Sequence, residues 1–210
     1  GYVYEGELAY KVNRTDVKNL QRPKTKMMMN IGSPDHAFAY SMIPNDGVGL
    51  AREEFIIDSH IKIHPLALLH FDKVTDAATR RKIEEITKGY KDKSEYFVDK
   101  LAEGISIIAA AFHPNDVIIR FSDFKTNEYK NLKGGAEFEP KEENPMLGFR
   151  GASRYIADPE EFMLELEAIA NIWKMGYSNL HLMIPFIRRP WELIQIKAMI
   201  TKAGLFNLPG

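Results

Sequence analysis

The hydrophobic positions along the chain form short apolar runs separated by longer amphipathic stretches. Each short run is apolar without polar alternation and most have glycine or proline at an end, which is typical of a buried parallel strand. Five runs have this character: "KMMMNIG", "GVGLA", "VIIRFSD", "MLGFRG" and "LHLMIPFI". A weak alternation around Tyr2 and Tyr4 predicts a further terminal strand, and the polar residues that follow it to residue 25 are typical of a linker.

Helical periodicity fills most of the stretches between these runs. Ser33-Pro34-Asp35 is a helix-start signal, residues 76–111 are helical in pattern, and residues 158–176 and 190–203 predict two more helices. The order β-α-β-α-β-β-α-β-α predicts an α/β protein with a parallel sheet covered on both faces. An eight-stranded barrel takes roughly 250 residues, so about five strands are too few to close one.

Composition narrows the function without identifying it. The chain has 210 residues, a net charge of −1 and no cysteine. Near-zero charge and scattered basic residues argue against nucleic acid as a partner. No apolar run is long enough to span a membrane, and the N-terminal residues lack signal-peptide features, so we expect a cytoplasmic protein. The absence of cysteine excludes thiolate metal ligands, a cysteine nucleophile and disulfides.

Three arginines follow predicted strands and are the candidate binding residues. Arg52 follows "GVGLA", Arg120 follows "VII", and Arg150 follows "MLGF". The carboxyl ends of parallel strands hold the active site in α/β folds, and arginine grips phosphate or carboxylate with two parallel donors. A local ion pair, with Glu53, Glu54 or Asp123 for example, is the competing interpretation. The repetition at three strand ends leaves the two interpretations equally supported.

Two histidines four residues apart are a weaker candidate site. His60 and His64 have the spacing of helical metal ligands. However, Ile61 and Ile63 alternate with them, which indicates extended structure, and Pro65 follows directly. Because no third ligand is visible, we interpret both histidines as packing or surface residues. The sequence has no phosphate-binding glycine loop and no nucleophile elbow, while the loop of about twenty residues after "VIIRFSD" is long enough to suggest a function.

Several blocks together have a specific resemblance. "MMMNIGSPDHAFAYSMIPNDGVGLAREEFII", "VIIRFSDFKTNEYKNLKGG", "EENPMLGFRGASRYI" and "LHLMIPFIR" resemble, in order and spacing, the C-terminal PEP/pyruvate-binding domain of the phosphoenolpyruvate (PEP) synthase family, pyruvate, water dikinase. The resemblance covers essentially the whole chain. It implies a (β/α)8 barrel of TIM type, of which about five strands are present here.

The resemblance also implies an activity and assigns residues to it. Family members convert ATP, pyruvate and water to AMP, PEP and phosphate through a phosphohistidine on a mobile domain. Arg52 and Arg120 match two arginines that bind pyruvate or PEP, and Arg150 matches a recurring arginine near the site. Preorganised cations suit the negative charge of an enolate and of a transferring phosphoryl group.

The resemblance implies parts of the enzyme that this chain does not supply. The parent enzyme uses Mg²⁺, and the glutamate expected to bind it two residues before Met183 is replaced here by His181; imidazole is a poorer Mg²⁺ ligand than carboxylate. Residues 1–25 match the tail of the phosphohistidine domain and a linker, and residues 26–210 match the N-terminal part of the barrel. ATP binds only through domains absent here. The phosphohistidine and the acid cysteine also lie outside, so we assign no catalytic residue and expect the isolated chain to be inactive.

Two functional hypotheses follow. In the first, the chain is part of PEP synthase and supplies the arginines that bind pyruvate or PEP. In the second, it is a non-catalytic metabolite-binding or assembly module derived from the same barrel. An open sheet edge and an uncovered apolar interior favour self-association, so we expect a homo-oligomer.

Overall fold

The computed structural model describes residues 3–13, 16–17 and 20–205. Within them one sheet of four parallel strands runs in the order β1-β2-β3-β4. The strands are β1 (Met29–Ile31), β2 (Val48–Arg52), β3 (Val117–Arg120) and β4 (Leu180–Met183). Each strand therefore pairs with the next one along the chain, as predicted for a parallel α/β sheet.

Helices make up most of the remaining described structure. The α-helices are α1 (Ala37–Ser41), α2 (Glu53–Ile56), α3 (Pro65–Leu69), α4 (Ala77–Ile86), α5 (Lys93–Phe112), α6 (Thr126–Tyr129), α7 (Ala152–Ala157), α8 (Pro159–Lys174) and α9 (Pro190–Lys202). The Ser33 hydroxyl accepts a hydrogen bond from the Asp35 amide and so caps the turn that leads into α1. The long helices predicted after residues 76, 158 and 190 are confirmed.

One face of the sheet is covered and the other is partly open. Crossovers between parallel strands are right-handed, so a sheet that advances in one direction places its helices on one face. In β3, Val117 and Ile119 are fully buried on that face, whereas Ile118 between them is only half-buried. The prediction of a sheet covered on both faces is therefore wrong for the described residues.

Two predicted strands are absent from the described residues. The terminal strand is predicted around Tyr2 and Tyr4. Tyr2 lies outside the described residues, and residues 3–13 contain neither strand nor helix. The "MLGFRG" run forms a turn: the Phe149 amide donates to the Glu142 carboxylate at 2.9 Å, and Gly151 has φ +57°. Because β3 pairs directly with β4, no position remains between them for a fifth strand.

The core lies between the covered face of the sheet and the long helices. Helix α5 packs against α8, α3 and α2, and Phe97, Leu101 and Ile105 on α5 are fully buried. Gly104 permits the approach to α2, since a Cβ there would lie 2.7 Å from Ile56 Cγ2. This packing fixes α2, which directly follows Arg52 at the end of β2. None of the described helices is long and apolar enough to cross a membrane.

Candidate functional site

Arg52 and Arg120 lie side by side at the carboxyl edge of the sheet. They end β2 and β3 and are register partners in the parallel ladder. Both line a cavity of about 500 Å³, and Arg150 reaches the same cavity from its turn. The structure thus brings the three predicted arginines together. The other lining residues are Glu54, Phe55, Asp58, Asp123, Phe124, Lys125, Glu128 and Asn131.

Arg120 has an internal partner but keeps one unused donor. Its Nη2 lies 2.7 Å from Glu54 Oε1, and its Nη1 lies 3.6 Å from Asp123 Oδ2. The same Glu54 oxygen accepts from the Asp123 amide at 2.7 Å, which ties α2 to the segment after β3. The Arg120 Nε is buried and has no hydrogen-bond partner among the described residues.

Arg150 is held by a two-pronged ion pair with Asp123. Its Nε donates to Asp123 Oδ1 at 2.9 Å and its Nη2 to Asp123 Oδ2 at 2.8 Å. This contact raises the pKa of Arg150 above its usual value. The guanidinium carbon also lies 4.7 Å from the centre of the Phe186 ring. Although no strand carries it, Arg150 is fixed at the cavity because Asp123 binds it in the bidentate geometry that favours arginine.

Arg52 is the cation most available to a ligand. Its guanidinium carbon lies 4.3 Å from the centre of the Phe55 ring. Among the described residues it has neither a salt bridge nor a hydrogen bond from its side chain, and it is exposed at the cavity. Stacking on an aromatic face orients a guanidinium while leaving its N–H groups free to donate.

The sequence interpretation named Glu54 and Asp123 as competing ion-pair partners, and it missed Lys125 as a member of this cavity. Glu54 and Asp123 hold the arginines in place, and Lys125 adds a fourth cation, paired with Glu128 at 2.6 Å. All three residues lie within five positions of a predicted arginine, and this closeness in the sequence is the signal that could have identified them as cavity residues. The loop after β3 supplies Asp123, Lys125 and Glu128, in keeping with the function expected of it, and it contains α6 besides irregular structure.

The lining has four cations (Arg52, Arg120, Lys125, Arg150) and four carboxylates (Glu54, Asp58, Asp123, Glu128). The ion-pair interpretation holds for Arg120 and Arg150, which Glu54 and Asp123 orient. Arg52 has no internal ion pair among the described residues, and part of the Arg120 guanidinium group stays exposed at the cavity. Such preorganised donors suit a carboxylate, an enolate or a phosphoryl group.

His181 lies away from the arginine cavity. It pairs with Ile118 in the ladder, and its Nε2 lies 3.3 Å from Asp116 Oδ1. Asp116 precedes β3 and also lies 3.4 Å from Lys26 Nζ, which precedes β1, so this contact is at the amino edge of the sheet. The two carboxylates nearest the arginines, Glu54 and Asp123, are already bound by guanidinium groups. The described residues therefore do not fit a Mg²⁺ site at the cavity.

The second histidine of the predicted pair is a buried structural residue. His64 Nδ1 accepts from the Leu66 amide at 3.1 Å and its Nε2 lies 2.9 Å from Glu139 Oε1, which indicates the neutral tautomer with a proton on Nε2. Burial lowers the pKa of His64 to about 4. His60 lies in a π-helical turn, Ile57–Ile61, and the prediction of extended structure at that position is wrong.

A second acid makes this buried group look like a metal site, but an arginine fills it. Ligand atoms of His64, Glu139 and Glu161 all lie within 4.8 Å of one another. The Arg154 guanidinium contacts both carboxylates, with Nη1 at 2.8 Å from Glu139 Oε1 and at 3.4 Å from Glu161 Oε1. Because the guanidinium already supplies positive charge between the two acids, the cluster is a closed ionic network.

Comparisons with known proteins identify the family of the chain. The model of a family described as "PEP-utilising enzyme, PEP-binding domain" matches residues 7–206. The chain is 53% identical over 210 residues to a phosphoenolpyruvate synthase of Synechocystis, covering 98% of this chain and 26% of the relative. A phosphoenolpyruvate synthase of Escherichia coli is 46% identical over 208 residues, with the same two coverages. The chain thus spans about a quarter of the length of these relatives, and it belongs to the PEP-utilising enzymes as their PEP-binding domain.

Proposed function

We propose that this chain binds pyruvate and PEP in the arginine cavity as part of a phosphoenolpyruvate synthase. The complete enzyme converts ATP, pyruvate and water to AMP, PEP and phosphate through a phosphohistidine supplied by another domain. The observation that carries the proposal is the pairing of Arg52 and Arg120 at the ends of neighbouring strands, with Arg150 in the same cavity. The names of the relatives support the reaction.

Each of the three arginines has a different role in binding a small anion with two charged ends. Arg52 offers a guanidinium with no internal ion pair among the described residues, and Arg120 offers the exposed part of its guanidinium. Arg150, held by Asp123, adds positive potential on a third side. Together they bind the carboxylate of pyruvate and stabilise the enolate oxygen while it attacks the phosphoryl group.

The sheet topology supports an incomplete (β/α)8 barrel. Four strands in sequential parallel order, with helices on one face and a partly open second face, are the arrangement of the first half of such a barrel. The open face and edge support self-association of the chain, for which sedimentation of the purified chain is the test.

A non-catalytic metabolite-binding module is the second candidate function. The ion pairs favour it, because Glu54 and Asp123 already bind Arg120 and Arg150. Both arginines therefore have a structural role that does not depend on catalysis. The two candidates differ in what happens when the missing domains are supplied. A domain that serves catalysis supports PEP formation in a complete enzyme, whereas a binding module does not.

The test replaces the aligned quarter of the Synechocystis relative by this chain and measures PEP formation from ATP and pyruvate. We expect the hybrid to be active and the isolated 210-residue chain to be inactive. Arg120→Ala in the hybrid should lower the rate by about 100-fold or more, while Arg81→Ala, which changes an exposed arginine outside the cavity, should not. A folded hybrid that is inactive, or an Arg120→Ala hybrid with unchanged rate, would contradict the proposal.

A further inference from the structure

Two fully buried carboxyl groups lie directly behind the arginine cavity. Glu53 stands between Arg52 and Glu54 at the start of α2, and Glu165 lies on α8. The described cavity lining does not include either of them. Their side chains meet in the core, close to Ser122 in the segment that follows Arg120.

The two carboxyl groups have different hydrogen-bond surroundings. Glu165 Oε1 accepts from the Ser122 hydroxyl at 2.6 Å, and Glu165 Oε2 accepts from the Tyr155 hydroxyl at 2.7 Å. Neither Glu53 oxygen has a donor at normal hydrogen-bond geometry among the described residues, although the Ser122 amide and the Glu165 carboxyl lie beside it. Glu165 is thus arranged as an acceptor, and its carboxyl is an acceptor beside Glu53.

Burial and like charge favour a proton between the two carboxyl groups. Burial, together with the nearby Glu165, raises the pKa of Glu53 well above its usual range, and burial raises the pKa of Glu165 to about 7. The groups that face the pair are Glu54 on α2, Ser122 after β3, Tyr129 on α6 and Tyr155 on α7. None of these is a cation, so two carboxylates in contact here would repel without compensation.

We propose that Glu53 and Glu165 are positioning residues that share one proton and thereby hold the ends of β2 and β3 in the relative position that the ligand requires. The shared hydrogen bond joins the backbone that carries Arg52 and Glu54 to α8. The bond from Ser122 joins the backbone that carries Arg120 to the same α8 carboxylate. The effect on ligand binding rests on the proposed function, whereas the shared proton and its effect on the arginines do not.

Loss of the proton has a defined consequence. When it leaves, the two carboxylates repel, and the segments that follow β2 and β3 separate. PEP affinity should then fall by up to about tenfold per pH unit above the midpoint, since one proton is coupled to binding. Glu53→Gln keeps a donor toward Glu165 and removes the proton that Glu53 loses, so its PEP affinity should no longer change at the midpoint of that loss.

The experiment has two arms on the 210-residue chain and its Glu53→Gln and Glu165→Gln variants. In the first, the carboxyl carbons of labelled glutamate and the Nε signals of Arg52 and Arg120 are followed by NMR against pH. In the second, PEP is titrated by calorimetry at the same pH values. Glu84→Gln is the matched control, because Glu84 is an exposed carboxylate on α4.

We expect Glu53 to remain protonated at neutral pH, and the two arginine signals to shift at the midpoint of the pair in the wild type but not in Glu53→Gln. The inference would be overturned if Glu53 titrated at the usual pKa of a glutamate. It would also be overturned if the Nε signals of Arg52 and Arg120 did not change at the midpoint of the pair. If PEP does not bind at any pH, the proposed function fails, and the arginine signals alone decide this inference. If PEP binds with the same pH dependence in wild type and Glu53→Gln, the inference fails while the proposed function stands.

Discussion

Arg52 and Arg120 are register partners at the carboxyl ends of two adjacent parallel strands, about 4.8 Å apart in the hydrogen-bonding direction. Two like charges at such a spacing repel unless anions lie between or beside them. Glu54 contacts Arg120, whereas Arg52 is stacked on Phe55 without an internal ion pair. Arg52 is therefore the member of the pair whose charge no acid among the described residues compensates, and the proposed ligand would bind there.

Glu54 should stabilise the fold by tying α2 to the segment after β3. We expect Glu54→Gln to lower the free energy of unfolding by about 1–2 kcal/mol, because one charge-assisted bond to Arg120 becomes a neutral one. Urea unfolding at constant pH measures the change. Glu84→Gln on the exposed face of α4 is the control, and equal stabilities for the two variants would show that the Glu54 contact is not formed in solution.

The bidentate contact between Asp123 and Arg150 should appear as a coupling energy. A double-mutant cycle with Asp123→Asn, Arg150→Met and the combined variant should give at least about 1 kcal/mol, since both side chains are largely buried. Unfolding free energies of the four proteins supply the cycle. Additive effects of the two changes would mean that Arg150 is placed at the cavity by something other than Asp123.

Arg154 should be essential to the buried network. Arg154→Met leaves Glu139 and Glu161 without their cation, and breaking a buried ion pair from one side costs about 3–5 kcal/mol. Adding Glu139→Gln and Glu161→Gln should restore part of this loss. Thermal unfolding with and without Zn²⁺ is the accompanying measurement, in which wild-type stability should not rise; a Zn²⁺-dependent rise would identify the cluster as a metal site.

Stability should fall as pH rises between about 4.5 and about 7. Burial raises the pKa of Glu139, Glu161 and Glu165 to about 7 from the usual 4.5, so the folded chain holds more protons than the unfolded chain in that window. His64 acts in the opposite direction, because its pKa is lowered to about 4 from 6.5 and its neutral form is favoured by folding. Because three acids lower the free energy of unfolding as pH rises and one histidine raises it, the net change is a fall.

Urea unfolding across that pH range measures the slope. In Glu165→Gln the decline should be shallower, because one of the buried acids no longer titrates. A flat or rising stability in the wild type between pH values of about 5 and 7 would show that these carboxyl groups ionise normally in the folded chain.

The sequence predicted the local elements better than the positions of the side chains. Helical caps and apolar periodicity are local, and they located α1, α5, α8 and α9. The "MLGFRG" run failed as a strand because a strand also needs a neighbour, and β3 and β4 leave no room for one. Tertiary pairing, which a single sequence does not display, overrode the local preference.

The site could be predicted only in part, because some of its features are local in the sequence and others depend on tertiary contacts. Arg52 and Arg120 could be found because each ends an apolar run, and parallel strands bring such ends together. The partner among neighbouring acids could not be assigned: Glu54 lines the cavity and reaches Arg120, whereas Glu53 is fully buried. His181 matched a family position by spacing, yet its contact with Asp116 places it at the other edge of the sheet.

Direct titration of the chain with PEP tests the central claim. Saturable binding in the wild type should weaken by at least about tenfold in Arg52→Ala and in Arg120→Ala, the loss expected from removing a charge-assisted contact. Arg81→Ala, an exposed arginine on α4, should bind as the wild type does. Absence of PEP binding to the folded wild-type chain, or equal affinity in all four proteins, would contradict the claim that the cavity between β2, β3 and the Arg150 turn is the binding site.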